Sequence, residues 1–484
     1  MASPSESSRR TFLKSAAACA PAAMLPVTKA SAATSALTTL APGTTIPPEQ
    51  WPSLFDVAPG IINLENAYWG LMPRSTAAVY AEKTAYVNRY NSIWGRGVLP
   101  GDSSFADLHA ARAALAGMMH CDTDELAITR SGSEGLQSLI VNYRGLKAGD
   151  SMICCDLDYD STLDAVEFLR EHRGVETAKF NMPEPATEAN ILQSYADALK
   201  SAPKAKLMLV TQVSHRTGLV LPVKQIVAMA RARGVDCICD LAHGVACLDF
   251  TLPDLDCDFA AWSVHKWTMA PMGLGAMYIR KSRLADIDTS YSSGFDAYPK
   301  AAATSSHDMS HEAVLAPGPA NRHEAMSATG RNVSQSTSAT NRPHNPDITA
   351  RVPYGVPNYP AILTIPAAVE FYRATGGKVR EDHLRALRDR WVHAVADLPN
   401  VEICVPADPA RYCAITSFRL KGMHTAADAQ KVQHRLFDKY RIHTVSRMGV
   451  AKGPVVRVAP GLYNTVADSD ALAAALHAEH SMLL

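Results

Sequence analysis

Short apolar runs of strand length alternate with helix-length stretches through the first half of this chain. The runs lie at residues 125–129, 151–155, 207–212 and 235–240. Residues 105–119, 163–172 and 223–233 have helical periodicity and lie before or between them. Strands that alternate with helices pair in parallel and need helices on both faces, so an α/β fold with a mainly parallel sheet is expected. Apolar runs such as Val235 to Asp240 carry little polar alternation, which suits strands buried on both sides.

The rhythm also sets the expected organisation. Residues 33–60 are rich in Thr, Ala and Pro and read as a linker and N-terminal arm. A large domain spans 61–284. Residues 285–350 are dominated by Ser, Thr, Ala, Asn, His and Pro without apolar period, and read as a low-complexity insertion or mobile loop. Helical patterns return at 361–373 and 379–398, strand patterns at 414–420 and 455–459, so 351–484 is expected to be a smaller C-terminal α+β domain. With 484 residues, each part has enough chain for its own core.

Lys plus Arg and Asp plus Glu both number 47, so the chain has no net charge with which to attract nucleic acid or an anionic membrane. Any charged ligand must be caught by a local site. The ten cysteines lack the paired spacing of a zinc site; Cys154, Cys155, Cys237 and Cys239 read as core thiols, and no metal site is expected. At the N-terminus, Arg9, Arg10, Phe12 and Leu13 precede a short Ala-rich apolar stretch and the small residues Ala30, Ser31 and Ala32. That stretch is too brief to span a bilayer comfortably, so stable membrane insertion is not expected. Residues 1–32 resemble a twin-arginine signal peptide. This implies delivery to the twin-arginine export machinery and a periplasmic or secreted enzyme.

The densest chemistry lies between Asp240 and Gly275. Asp240 stands at the end of an expected strand, where open α/β sheets place their ligands, and His243, Ser263, His265 and Lys266 follow. Asp, two residues, His, and then Ser-x-His-Lys some twenty positions later resembles the class-V aminotransferase family, which includes cysteine desulfurases and isopenicillin N epimerase. The resemblance covers roughly residues 60–480. It implies a pyridoxal-phosphate (PLP) transferase of fold type I, a homodimer, and a Schiff base between the cofactor and Lys266. The residue types suit that chemistry. A lysine amine holds the PLP aldehyde, and a carboxylate such as Asp240 beside the pyridine nitrogen keeps it protonated and electron-poor. Ser263 and His265 flank the lysine and can donate to the phosphate. His243 completes the cofactor-contacting set that the resemblance implies. Loading in the cytoplasm agrees with twin-arginine export, which carries folded proteins.

Other segments match in order. Gly132, Ser133 and Glu134 follow a strand and open a helix, whose amides would cradle the PLP phosphate. Tyr159 stands where the family stacks a ring on the cofactor. His215 replaces the usual Asn beside the PLP phenolic oxygen, a departure that still supplies a donor. Arg457, followed by Tyr463, Asn464 and Thr465, takes the place of the clamp for the substrate α-carboxylate. Arg351 to Asn358 resembles the segment that reaches the other subunit's phosphate, with Val356 in place of Thr.

A persulfide-forming desulfurase needs a thiol on the loop before the carboxylate arginine, and there is none between Tyr440 and Val456. The expected activity is therefore removal of the Cα proton of an amino acid, as in an isopenicillin N epimerase-like isomerase. A C–S lyase (β-elimination), an aminotransferase and a non-catalytic PLP-binding relative remain as alternatives. His443 and Arg447 precede Arg457 and could read a distal carboxylate or sulfoxide of the substrate or simply be solvated.

Overall fold

A computed structural model describes residues 40–98, 104–290 and 347–479, apart from residues 42 and 354. The expected signal peptide and residues 291–346 of the expected insertion lie outside the described residues. A two-residue strand β1 (Ile62–Asn63) leads to helices α1 (Arg74–Gly95) and α2 (Ser104–Met119). Then come β2 (Leu126–Thr129), α3 (Gly132–Asn142), β3 (Ser151–Cys155), α4 (Asp160–Arg173) and β4 (Glu176–Phe180). They are followed by α5 (Glu188–Ser201), β5 (Ala205–Thr211), α6 (Val223–Arg231), β6 (Asp236–Asp240), the single turn α7 (Leu252–Leu255), β7 (Phe259–Ser263) and β8 (Gly275–Ile279). The rest comprises α8 (Tyr359–Thr375), α9 (Gly377–Ala394), β9 (Val401–Ile403), β10 (Thr416–Leu420), α10 (Ala426–Tyr440), β11 (Ile442–His443), β12 (Val445–Arg447), β13 (Val455–Val458) and α11 (Val466–Glu479).

Seven strands form a mixed sheet in the order β2-β8-β7-β6-β5-β3-β4. The run from β7 to β4 is parallel, and β8 is antiparallel to both β7 and β2. Alternate residues serve opposite faces, as the pleat requires. Ile153, Cys155, Val210, Cys237, Cys239 and Trp262 join one core with Ile191 and Tyr195 of α5 and Ile226 of α6. Met152, Cys154, Leu209, Ile238, Phe259 and Met277 join another with Leu139 of α3 and Leu169 of α4. Both faces are thus dry, which is why these strands read as continuous apolar runs.

A second, antiparallel sheet runs β12-β13-β10-β9. Phe418, Val456 and Val458 pack from it against Trp391 of α9, Leu436 of α10 and Leu472 of α11. Residues before α1 reach this region through the parallel pair β1-β11 and a bridge between Glu65 and Ala459. Among the described residues no helix is long and apolar enough to cross a membrane.

Candidate functional site

The parallel strands β3, β5, β6 and β7 end on one edge of the seven-stranded sheet, and the loops after them carry most of the sequence-predicted residues. Strand β6 closes on Asp240, which is buried; its Oδ1 accepts the Ala242 amide at 2.9 Å. Burial raises its carboxyl pKa, the Ala242 hydrogen bond and the Lys266 charge opposing it. Strand β7 closes on Ser263, and the turn beyond it presents Lys266. Its Nζ lies 3.1 Å from His243 Nε2 and 5.9 Å from the centroid of the Tyr159 ring.

His243 is buried, and burial holds its imidazolium well below the ordinary range, helped by the Lys266 charge. Trp267 Nε1 donates to His243 Nδ1 at 3.4 Å, so the neutral ring carries its proton on Nε2, facing the lysine amine. Burial likewise brings the Lys266 ammonium down to about 8; Asp240 opposes this, while Arg457 and Arg447 add to it. A neutral amine beside an Nε2–H donor is mutually consistent. We predict that Lys266 in the ligand-free chain reacts with an amine-directed reagent with a midpoint near pH 8. Its reactivity should rise about tenfold per pH unit below that midpoint and level off above it, whereas exposed lysines keep rising toward about 10.4. Competitive labelling with peptide mapping checks this; a Lys266 midpoint above about 10 contradicts it.

The turn holding Lys266 is fixed from two sides. The amide of Gly70 donates to the carbonyl of His265 at 2.9 Å, and a Cβ on Gly70 would fall 2.0 Å from the Lys266 carbonyl oxygen. The fully buried Arg380 of α9 donates to the Trp267 carbonyl. His265 places Nδ1 2.7 Å from the Leu274 carbonyl, so in the neutral ring Nε2 is the acceptor; burial lowers its pKa.

Strand β2 delivers the first turn of α3 to the same edge. Gly132 N donates to Ser263 Oγ at 3.3 Å, and a Cβ on Gly132 would sit 2.8 Å from the Ser263 backbone and hydroxyl, so only glycine fits. Ser131 caps the helix through the Glu134 amide at 3.1 Å. The Glu134 carboxylate turns back to the amide of Arg130 at 2.6 Å and to its guanidinium. Gly132 and Ser133 thus stand at the open start of α3, while both the amide and carboxylate of Glu134 are spent within the turn.

Tyr159 caps α4 and meets His215 edge-on, with ring centroids 5.1 Å apart. His215 is buried, and burial lowers its pKa to about 3 despite Asp160. Arg216 Nε donates to His215 Nε2 at 3.4 Å, which places the neutral proton on Nδ1, a buried atom without a partner. The Oε1 of Gln212, packed against Gly244, is also buried and unpartnered. The segment before α8 starts from the fully buried Arg351, which donates to the carbonyls of Asp347 and Leu284, and it leaves Val356 exposed.

Arg457 is 1% exposed in its side chain, but its fork is already filled. It engages both carboxylate oxygens of Glu65 and donates to the His215 carbonyl at 2.6 Å. Glu65 gave no sign in the sequence, since its partner stands 392 positions away and the two meet only through the β1-β11 pair and the Glu65–Ala459 bridge. Gly70 and Gln212 escaped notice in the same way.

The profile described as aminotransferase class-V matches residues 74–312 of this chain. The isopenicillin N epimerase of Streptomyces clavuligerus is 25% identical over 424 residues, which cover 87% of this chain and 95% of that relative. The isopenicillin N epimerase of Amycolatopsis lactamdurans is 27% identical over 376 residues, 76% of this chain and 84% of the relative. Among solved structures, a cysteine desulfurase from Thermococcus onnurineus matches with a TM-score of 0.69 and 18% identity, over 90% of this chain and 99% of that one; this likeness concerns the fold.

Proposed function

We propose that this chain, a PLP-dependent enzyme whose residues 74–312 match the aminotransferase class-V profile, removes the α-proton of an amino acid with Lys266 as the base. PLP, when bound, supplies an aldehyde for an amine and an electron-poor ring that takes up the charge left at Cα. The residues present fit that cofactor. Ser263 and the Ser133 amide at the start of α3 suit its phosphate, as does His265 once protonated, Asp240 its ring nitrogen, and either the unpartnered His215 Nδ1 or the His243 Nε2 that faces Lys266 its phenolic oxygen. Tyr159 offers a ring face that keeps water from the cofactor plane.

The observation that carries the proposal is the Lys266 amine, enclosed beside Asp240 and His243, with its pKa lowered to about 8. At that value it can accept a proton near neutral pH, which general-base work requires. Trp267 and Arg380 act through position: one fixes the His243 tautomer, the other the backbone after Lys266.

Epimerisation is the favoured outcome, because relatives named for it align over 95% and 84% of their length. A C–S lyase is the second reading, and no cysteine between Tyr440 and Val456 supplies the thiol a desulfurase would need. A panel of amino acids in heavy water, read for Cα deuterium and for keto-acid release, tests both. Exchange without release supports the epimerase, and release of pyruvate with a thiol supports the lyase. A keto acid with pyridoxamine phosphate points to an aminotransferase; neither exchange nor a spectral change across the panel refutes the enzyme reading.

Twin-arginine export is proposed on Arg9 and Arg10 together with the Ala-rich stretch after them. Changing both to Lys should leave full-length protein in the cytoplasm; continued processing and export would contradict it. A homodimer is proposed on the family resemblance, and a sedimentation mass near 52.1 kDa would exclude it.

A further inference from the structure

Strand β3 and helix α4 are joined by the short loop 156–158, and Tyr159 follows it as the cap of α4. The Tyr159 carbonyl accepts the Thr162 amide at 2.9 Å and the Thr162 hydroxyl at 2.6 Å, while its side chain makes no capping bond. The loop therefore sets where the ring stands. Both acids of the loop are buried, and each is tied to a different neighbour. Asp156 accepts the Met182 amide at 2.8 Å and the Ala451 amide at 3.1 Å. Asp158 takes the Cys155 amide on Oδ2 and the Thr211 hydroxyl on Oδ1, each at 2.7 Å.

The Asp158 carboxyl is an expensive way to make two hydrogen bonds. Its residue is 0% exposed, and among the described residues no Lys, Arg or His makes an ion pair with it. Burial raises its pKa to about 6; the Cys155 and Thr211 bonds oppose the rise and Asp240 adds to it. A carboxylate nevertheless does what an amide cannot: it accepts from two separate donors, whereas Asn would turn its NH2 group toward one of them. The bridge it makes leads to the centre of the site. Thr211 ends β5 and stands in register with Asp240, which ends the neighbouring parallel strand β6. One hydrogen bond thus ties the loop before Tyr159 to the strand position beside Asp240.

We propose that Asp158 is a positioning residue: through Thr211 it holds the Tyr159 ring in register with Asp240, so that a face and the nitrogen of one flat cofactor ring are met together. The inference rests on the reading that the Tyr159 ring lies against bound PLP. The Lys266 amine, 5.9 Å from the centroid of that ring, lies on the same side of the loop. The ring itself is half-buried and touches His215 only edge-on, so the backbone beneath it carries the task of keeping it in place.

The test reads two properties of the full chain loaded with PLP: the Kd of the cofactor, and the visible dichroism per bound cofactor, which reports how firmly an asymmetric site holds the chromophore. Thr211→Val removes the hydroxyl and keeps the branched shape; Thr211→Ser keeps the hydroxyl; Asp158→Asn is the reciprocal change. Thr211→Val and Asp158→Asn should each weaken PLP by about tenfold or more, the usual loss for a hydrogen bond to a charged group, and should reduce the dichroism. Thr211→Ser should keep both properties close to wild type. Tyr159→Ala should show the same losses, and combining it with Thr211→Val should add nothing further, because both act through one ring. A bond that only stabilises the fold would lower the unfolding midpoint of the apo and loaded proteins alike and leave the cofactor dichroism as in wild type. That result overturns the proposal, as do losses that add to those of Tyr159→Ala. If Tyr159→Ala itself keeps wild-type affinity and dichroism, the ring does not meet the cofactor, and this inference falls while the assignment of Lys266 stands. Should Asp158→Asn fail to fold, Thr211→Val decides alone, with unchanged far-ultraviolet dichroism as its control.

Discussion

Replacing Arg457 by Ala should destabilise the fold by about 3–5 kcal/mol, the usual cost of leaving one member of a buried ion pair behind. The side chains of Arg457 and Glu65 are 1% and 7% exposed, so water can solvate neither of them once its partner is gone. The truncation also frees the His215 carbonyl and opens the join between β13 and the strand-like segment at Glu65. Glu65→Gln should cost less, because an amide keeps a hydrogen bond to the guanidinium. The double replacement of Arg457 and Glu65 by Met should cost clearly less than the sum of the single losses, since the pair's net worth against apolar side chains is small. Denaturant unfolding of the four proteins decides the matter. A loss below about 1 kcal/mol for Arg457→Ala, or strict additivity in the double variant, would mean that the pair does not hold these segments together.

Much of the fold could be read from residue order, and the exceptions have physical causes. Residues 151–155 form a strand with the expected bounds, and β6 begins one residue later than expected, because runs buried on both faces announce themselves by uninterrupted hydrophobicity. Strands β7 (FAAWS) and β8 (GAMYI) went unread. Ala and Gly have weak strand preference, and only pairing with β6 and β2 inside the sheet makes these segments extended. Strand β4 (ETAKF) lies on the sheet edge with partly exposed residues and so lacks an apolar run.

The candidate site divides in the same way. Asp240, His243, Ser263, His265 and Lys266 were legible because the chain carries them within one short segment, and the structure gathers them at the strand ends. Arg457 reads from the sequence as a clamp for the substrate α-carboxylate; its resident partner Glu65 was not legible, because it reaches Arg457 through a bridge across most of the chain. Arg447 reads either as a contact for a distal carboxylate or sulfoxide or as a solvated side chain; its buried Nε without a partner is a property of three-dimensional surroundings that residue order does not carry.

Lys266→Ala should lower Cα-hydrogen exchange by about 10⁴-fold, the upper range for loss of a positioned general base. The expectation follows from the neighbours of the amine. His243 is held neutral by burial, and its Nδ1 accepts the Trp267 N–H, so it has no free lone pair with which to take a proton in place of the lysine. Asp240 is likewise buried, with Oδ1 on the Ala242 amide at the base of the site. Tyr159 has its hydroxyl pKa raised by burial, which leaves no phenolate near neutral pH. Borohydride reduction of the cofactor-loaded wild type should fix the pyridoxyl group on Lys266 and on no other lysine, and the alanine variant should take up no label. Supplying the variant with a small primary amine should recover part of the exchange, since the missing group is a proton acceptor and the surrounding cage is intact. Exchange within about tenfold of wild type in Lys266→Ala without added amine would show that a group other than Lys266 removes the proton.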